Sequence, residues 1–287
     1  MILSDEQVTT DEVKSWEGLH LLHFSGSSCS QKVRTLLREK GIDYVSHHIN
    51  LVKHEHASPW YLGINPRGVV PVLVHDGVVH VESNDILAYL DGLPSEVDSY
   101  FPQTPEERAI VDASLTLEND LHFALREITM GFIFPKRLAQ KPDDVLAKYE
   151  QEGADDPSRD KEIAWWRAYA EAGVTEPQAR AAVKAHRGAF DALEKRLEKN
   201  EWLIGDRISV LELAWFITMN RLRMGGYPLE IHPRLFKLYN RLLKRPAFAR
   251  ETKTPAILSK ILLPAVRFGQ VLRGKRMKDV AADILAA

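Results

Sequence analysis

The sequence predicts an α/β domain followed by an all-α domain, and three observations support this order. Short apolar runs alternate with amphipathic helical patterns in residues 1–92, which is typical of a small sheet covered by helices. Residues 93–104 are polar and contain Pro94 and Pro102, as expected of a linker. From residue 105 onwards helical periodicity dominates and strand signals are scarce.

The linker sets the domain boundaries that we predict. They give an N-terminal extension at 1–18, the α/β domain at 19–92, the linker at 93–104, the helical domain at 105–250 and a C-terminal helical tail at 251–287. The extension is acidic and contains only one short helical pattern. We therefore expect it to pack outside the fold.

Composition indicates a globular protein of a reducing compartment. Hydrophobic residues make up 45% and charged residues 27% of the chain, and its 287 residues suffice for two cores. The formal net charge of −2 provides no general attraction to nucleic acid or to an anionic membrane. The single cysteine excludes an intrachain disulfide, no apolar run is long enough to span a bilayer, and residues 1–18 lack a secretion-signal pattern. We therefore expect a cytoplasmic protein with no integral membrane segment and no nucleic-acid partner.

The first domain is predicted to be a four-stranded unit with a right-handed parallel crossover. Asp76-Gly77 is a strong hairpin signal between two β-branched runs. Apolar runs and helical periodicity supply the other signals. They predict strands at 19–24, 44–51, 69–74 and 78–81, a helix that ends near Gly41, and a helix at 83–90.

The segment SGSSCSQKVR, residues 25–34, lies between the first strand and the first helix. Serines at a strand-to-helix turn can cap the free N–H groups of the first helical turn. The same N–H groups and the helix dipole attract an anion. By itself the segment is consistent with an ordinary capped helix that contains one buried cysteine, so its function depends on the rest of the domain.

Three segments in order, SSCSQKVR, NPRGVVPVL and VESNDILAYL, resemble the N-terminal domain of the cytosolic glutathione transferase superfamily. The resemblance implies a thioredoxin-like α/β domain followed by an all-α C-terminal helical domain. It also implies a glutathione S-transferase that uses glutathione as its cofactor, acts on a small electrophile and forms a homodimer. The central chemical task would then be activation of the glutathione thiol.

Activation of that thiol needs only a modest free energy. Lowering a thiol pKa of ~8.5 by two units requires ~2.7 kcal/mol. One hydrogen bond to a charged acceptor supplies ~1.5–3 kcal/mol, and a helix N-terminus adds ~0.3–1 kcal/mol. A hydroxyl at a helix start is therefore sufficient, without a metal or a buried general base.

Three residues compete for this role, and the resemblance links each to a different class of transferase. Ser27 matches the serine of the zeta and theta classes, Cys29 the cysteine of the beta class, and Ser30 the serine of one branch of bacterial lignin β-etherases. We favour Ser27 because we expect it to precede the first helical turn. Cys29 is expected to be a small buried hydrophobe. If Cys29 were the nucleophile, the activity would be that of a thiol reductase or isomerase.

The resemblance also assigns residues that bind glutathione. Pro71 matches the cis-proline of the superfamily, and Val70 before it offers main-chain groups to the cysteinyl part of glutathione. Glu82 and Ser83 match the pair that holds the γ-glutamyl group. Ser83 also lies at a predicted helix start, which favours a carboxylate.

At the glycyl end of glutathione, His56 matches a theta-class histidine, and Lys53 is its rival. His47, His48 and His54 lie near His56 in sequence. Their spacing fits no zinc pattern, and no cysteine or carboxylate joins them convincingly. We therefore assign no metal site.

The helical domain is predicted to have Leu211–Met224 as its buried central helix, because this stretch is apolar on almost every side. Ser209 and Glu212 have the spacing of a capping box at its start. Residues 140–157 are rich in proline, glycine and aspartate, which predicts a long surface excursion.

This excursion, the Trp165-Trp166 pair and the long tail resemble bacterial glutathione-dependent β-etherases. The resemblance implies an aromatic electrophile and, as one reaction, cleavage of β-aryl ethers. Candidate residues for its pocket are Phe123, Met130, Phe132, Phe134, Trp165 and Trp166. Candidate donors to the departing phenolate are Arg126, Arg167 and Tyr169. A non-catalytic binding or scaffolding protein of the same fold is the alternative.

The tail combines apolar residues with six basic ones, and two interpretations are open. A basic amphipathic helix can lie on a membrane surface. Such a helix can also pack its apolar face against its own domain. We favour packing against the helical domain.

Overall fold

A computed structural model describes residues 1–151, 157–254 and 256–286. The chain forms two compact units. The first consists of Met1–Asp98 together with Gln140–Glu171, and the second of Ser99–Ala139 together with Ala172–Ala287. The first unit thus includes a segment from the half of the sequence that follows the linker.

The helices of the described residues, in chain order, are α1 Ser28–Glu39, α2 Pro59–Leu62, α3 Ser83–Asp91, α4 Pro105–Asp120, α5 His122–Phe132, α6 Lys136–Ala139, α7 Asp143–Gln151, α8 Pro157–Ala172, α9 Glu176–Arg196, α10 Val210–Gly225, α11 Pro233–Leu242, α12 Pro246–Glu251, α13 Leu263–Arg273, α14 Met277–Val280 and α15 Ala282–Ala286. A π-helical turn, Leu258–Leu262, leads directly into α13.

The first unit contains a four-stranded mixed sheet. Its strands are β1 Leu19–His23, β2 Val45–His48, β3 Val72–His75 and β4 Val78–His80, in the order β2-β1-β3-β4. β1 is parallel to β2, and α1 forms the crossover that a parallel pair requires. β3 is antiparallel to both β1 and β4. This sheet and the helical second unit confirm the predicted fold class.

The N-terminal extension belongs to the core, contrary to the prediction that it packs outside the fold. Val8 and Val13 are 3% and 0% exposed and lie in the apolar cluster of the sheet. Asp11–Ser15 forms a 3-10 helix, and its Lys14 carbonyl approaches Gly77 so closely that a Cβ there would collide with it. The 3-10 helix is too short for periodicity to detect, because Val13 is the single apolar residue among its five.

The prediction of a surface excursion at 140–157 is wrong for the part that the structure describes. α7 occupies much of it, and Val145 is only 7% exposed. Val145 packs with Ala57 and with Ile163 of α8 in a small apolar cluster. Residues 152–156 lie outside the described residues. The sequence pattern missed α7 because proline and aspartate surround its few apolar residues.

α10 is the buried centre of the second unit, as predicted. Leu211 and Trp215 are fully buried, and the helix packs against α4, α5 and α11. Glu212 Oε2 accepts hydrogen bonds from the N–H and hydroxyl of Ser209 at 2.8 and 2.7 Å, which confirms the capping box. Its Oε1 accepts the N–H of Leu203 at 2.6 Å. Burial raises the pKa of Glu212, and these donors act in the opposite direction.

The C-terminal tail packs on the second unit through one face only. Leu263 and Met277 are 8% and 1% exposed, and Asp283 forms a bidentate ion pair with Arg180 of α9. Apolar side chains on the other face are exposed, so the expectation of packing holds for one face of the tail. Within the described residues, no helix is long and apolar enough to cross a membrane.

Candidate functional site

The turn between β1 and α1 places Ser27 at the N-cap of α1. Its backbone is extended, with φ −76° and ψ 124°, and its Oγ accepts the N–H of Ser30 at 3.3 Å. Its own N–H donates to the Phe24 carbonyl at 3.2 Å. The half-buried Ser27 hydroxyl therefore lies beside the positive end of the α1 dipole, in the position that the sequence predicts.

Cys29 and Ser30 lie in the first turn of α1 and differ in exposure. Ser30 is fully buried, and its Oγ accepts the N–H of Phe24 at 3.4 Å. Cys29 is only half-buried, so the expectation of a small buried hydrophobe is wrong. A helix N-terminus favours a thiolate, so Cys29 is still a rival of Ser27.

Arg34 fixes the turn that carries Ser27. Its side chain is only 4% exposed, and its guanidinium donates to the carbonyls of Phe24 and Ser25, each at 3.0 Å. It also donates to Nδ1 of His23 at 3.0 Å. Burial, together with the Arg34 charge, lowers the pKa of His23 to about 4, so the imidazole is a neutral acceptor. No local sequence pattern indicates this role of Arg34, because its partners come from tertiary structure.

The loop before β3 brings the Val70–Pro71 bond next to the turn. This bond is cis, as the resemblance implies. β3 pairs with β1 in antiparallel register, so the start of β3 lies beside the end of β1. The carbonyl of Val69 accepts from the Tyr61 hydroxyl at 2.7 Å and from Asn65 Nδ2 at 2.9 Å. These bonds hold the main chain that leads to Val70.

The first turn of α3 lies near the same edge of the sheet. Ser83 is its first residue, and Glu82 before it has φ +66°, a conformation that costs a non-glycine residue about 1–3 kcal/mol. The Glu82 carboxylate forms an ion pair with Arg67. Lys32 of α1 donates to Asn84 Oδ1 at 2.9 Å and so links α1 to α3. The candidate residues at the two helix starts thus belong to one connected structure.

His56 has a buried cation beside it. Lys141 Nζ is 2.8 Å from His56 Nε2, and the two side chains are 9% and 4% exposed. Burial first, and then the Lys141 charge, lower the pKa of His56 to about 2. His56 is therefore neutral, and the positive charge at this position belongs to Lys141. The rival Lys53 is exposed.

Lys141 comes from the segment after α6, and the same segment makes a second contact with the candidate site. Arg159 of α8 is 4% exposed and donates to the carbonyl of Pro66, in the loop that precedes the cis bond. Lys141 Nζ also lies 4.9 Å from the ring centre of Trp166. No sequence pattern indicates either cation, because Lys141 and Arg159 lie 85 and 93 residues from His56 and Pro66.

An aromatic cluster lies on α8 in the first unit. Trp165 stacks on Tyr169 with ring centres 5.1 Å apart, and Trp166 meets Tyr169 edge-on at 5.8 Å. Tyr169 is 2% exposed, and its hydroxyl has no hydrogen-bond partner among the residues that the structure describes. Burial raises the pKa of Tyr169 to about 12, so this hydroxyl keeps its proton. Arg167, another candidate donor, is exposed.

The other aromatic candidates lie in the second unit and differ among themselves. Phe132 is 3% exposed and belongs to the core. Phe123, Met130 and Phe134 are half-buried, and the Arg126 guanidinium lies 4.8 Å from the ring centre of Phe123. Phe132 is therefore better explained by core packing than by substrate contact.

A mixed four-stranded sheet followed by a helical unit is the fold class of the glutathione transferases, and comparison with known families supports this assignment. The model for the glutathione S-transferase N-terminal domain matches residues 26–93, and that for the C-terminal domain matches residues 160–246. The chain belongs to the cytosolic glutathione transferase superfamily and is a glutathione S-transferase.

Individual relatives also support this family assignment. The protein LigF of Sphingobium sp. strain SYK-6 is 31% identical over 240 residues, which cover 80% of this chain and 91% of LigF. The crystal structure of this β-etherase LigF has a TM-score of 0.69 at 26% identity, covering 81% of this chain and 98% of that one. Glutathione S-transferase 1 of Dianthus caryophyllus is 40% identical over 92 residues, 32% of this chain and 41% of its own length.

Proposed function

We propose that this transferase binds glutathione in its first unit and stabilises the glutathione thiolate with the Ser27 hydroxyl. The observation that carries the proposal is the N-cap position of Ser27. Ser27 Oγ accepts the N–H of Ser30, which leaves the hydroxyl proton for donation to a sulfur anion. The hydroxyl and the α1 dipole then favour the same charged form of the thiol.

Glutathione lies, in this proposal, along the edge where β1 ends and β3 begins. The main chain of Val70, before Pro71, pairs with the cysteinyl part. Glu82 and Ser83 hold the γ-glutamyl group, because a carboxylate is favoured at the first turn of α3 and a carboxylate side chain suits the amino group. The cis bond and the Lys32–Asn84 link support this arrangement.

At the glycyl end, His56 and Lys141 act together. His56 is neutral and cannot itself balance the glycyl carboxylate. The ammonium of Lys141, 2.8 Å from His56 Nε2, supplies the positive charge, and His56 orients it by accepting one of its hydrogen bonds.

The proposed electrophile is aromatic, and the proposed reaction is β-aryl ether cleavage. The similarity to LigF over most of both chains supports this choice. The glutathione sulfur attacks the carbon that carries the aryloxy group, a C–S bond forms, and the C–O bond breaks with its electron pair leaving on the aryloxide. The buried Tyr169 hydroxyl, which keeps its proton, is our candidate for the hydrogen bond to that aryloxide.

Two measurements test the proposal. The ultraviolet absorbance of bound thiolate, followed against pH, gives the thiol pKa, which we expect to lie about two units below ~8.5. Incubation with glutathione and a fluorogenic α-keto β-aryl ether should release the phenol. Conjugation of a generic electrophile without phenol release would refute ether cleavage but not thiol activation. Failure to bind glutathione would refute both and favour a scaffolding protein.

The partially exposed Cys29 supports thiol reductase or isomerase chemistry as a second candidate function. A cysteine can form a mixed disulfide with glutathione and a serine cannot. Mass spectrometry of the protein after exposure to oxidised glutathione separates the two. An adduct at Cys29 that turns over with activity would favour the reductase.

We further propose that the protein works as a homodimer in the cytoplasm. Membership of the superfamily supports the dimer. The presence of only one cysteine in the chain supports a reducing compartment. Sedimentation equilibrium tests the dimer, and a monomeric mass with full activity would contradict it.

A further inference from the structure

The C-terminal tail carries an exposed apolar stripe. Its members are exposed by 74%, 66%, 66%, 49% and 71%, and they are, in order, Ile257, Ile261, Phe268, Val271 and Leu272. Their separations of four, seven and four residues, with Val271 beside Leu272, put them on one face of the helical segment. Large exposed apolar side chains that share one face indicate an interaction surface.

The opposite face of the tail is already occupied by the second unit. Leu263 is 8% exposed, and Gln270 Nε2 donates to the Phe132 carbonyl at 3.2 Å. Beyond α13, Met277 is 1% exposed and Arg180 holds Asp283. The helix is therefore docked in one orientation, and that orientation turns the apolar stripe outward.

Charge distinguishes the tail from the rest of the chain. Residues 256–286 contain six basic and two acidic side chains, which gives a net charge of +4, whereas the whole chain carries −2. The basic residues are Lys260, Arg267, Arg273, Lys275, Arg276 and Lys278. Arg276 pairs with Asp279, but the sign of the segment is clear. The low net charge of the chain conceals this local excess.

We propose that the tail binds an anionic lipid surface, with the apolar stripe inserted at the level of the headgroups and the basic side chains facing lipid phosphates. Apolar side chains on one face with lysine and arginine around them are the features of an interfacial helix. Each basic residue near an anionic leaflet strengthens binding, and two signals together make attachment stable. A second copy on this face would instead bring two +4 segments together. The site is independent of glutathione chemistry.

Flotation with lipid vesicles tests the proposal. The full-length protein should bind vesicles of phosphatidylcholine with about a quarter phosphatidylglycerol, and bind vesicles of phosphatidylcholine alone far less. Phe268→Asp with Leu272→Asp should lower the partition coefficient by at least about tenfold. Lys260→Glu with Lys275→Glu should lower it at least about tenfold as well, and high salt should have the same effect on the wild type.

Leu138→Asp is the matched control, because Leu138 is 61% exposed in the same unit but lies outside the stripe. It should leave vesicle binding unchanged. All variants should retain the soluble transferase activity and the helical circular dichroism of the wild type. The proposal is overturned if the wild type ignores anionic vesicles at low salt, or if the stripe variant binds them as well as the control does. A stripe variant that instead changes the oligomeric state would overturn it in favour of a second copy.

Discussion

At the residue scale, the candidate site depends on side chains that position others. Arg34 holds the carbonyls of Phe24 and Ser25 and leaves the Ser27 hydroxyl at the helix start. Lys141 provides the charge beside a neutral His56. Both residues are buried cations. Each needs defined hydrogen-bond acceptors, because an unpaired buried charge is strongly unfavourable.

Replacing Ser27→Ala should lower kcat/KM for a generic electrophile about 10- to 150-fold, because one charged hydrogen bond to the thiolate is lost. The pKa of the bound thiol should rise in the same variant. Cys29→Ala should change kcat/KM by less than about threefold, within the range of a small half-buried packing change. Loss of activity in Cys29→Ala, together with a glutathione adduct at Cys29 in the wild type, would reverse the assignment.

Replacing Lys141→Met should raise KM for glutathione about tenfold or more and leave kcat nearly unchanged. The variant loses the attraction between the ammonium and the glycyl carboxylate, whereas activation of the thiol does not depend on Lys141. Glutathione with its glycyl carboxylate converted to an amide should show little difference between wild type and variant. Lys161→Met, at an exposed position of α8, is the control. An equal loss with both forms of glutathione would show that Lys141 supports folding only.

His186 makes stability depend on pH. It is fully buried, its Nδ1 lies 2.9 Å from the Ala182 carbonyl, and burial lowers its pKa to about 4 from 6.5. The unfolded chain therefore takes up a proton as the pH falls through 6.5, and the native state does so only near 4. The free energy of unfolding is thus greatest above pH 6.5. Protonation of this group alone lowers it by about 2 kcal/mol at pH 5.

His186→Gln should reduce that loss. Urea unfolding at pH 8 and at pH 5 measures the difference in unfolding free energy for both proteins. The variant should have the smaller difference, although its absolute stability is lower. An unchanged difference would mean that other buried histidines, such as His23, His56 and His80, account for the acid sensitivity.

At the element scale, the start of α10 depends on one carboxylate. Glu212 accepts hydrogen bonds from Ser209 and from the more distant N–H of Leu203. A shorter aspartate could still cap Ser209 but would not reach both groups. Glu212→Asp should therefore lower the unfolding free energy by about 1–3 kcal/mol, the cost of a buried donor without its acceptor. Denaturant titration measures this, and a loss below about 0.5 kcal/mol would contradict the role of Leu203.

The elements that the sequence could predict are those with a regular pattern. The hairpin around Asp76-Gly77, the cap at Ser27 and the central helix α10 follow from local turn chemistry and periodicity. α7 and the buried extension around Val13 do not, because each offers too few apolar residues to form a pattern. Lys141 is 85 residues from His56, and no local rule connects residues so distant in sequence.

At the scale of the whole molecule, the first unit is assembled from two stretches of chain. Residues 140–171 contribute α7, most of α8 and the Lys141 and Arg159 contacts. A fragment of residues 1–104 should therefore unfold at a lower denaturant concentration than the unit does in the full chain, with a broader transition. Circular dichroism with urea measures both. A fragment as stable as the full chain would show that residues 140–171 add nothing to the unit.

The same division has a consequence for synthesis on the ribosome. An N-terminal domain made of one continuous stretch can complete its fold as soon as it leaves the exit tunnel, and domains commonly fold in that order. Here His56 acquires its partner only after Lys141 has emerged, and the cluster around Ala57 is complete only after Ile163 has emerged, when much of the second unit is still to be translated. The nascent chain must therefore carry an open face on its first unit during that interval, so chaperone occupancy should be concentrated there.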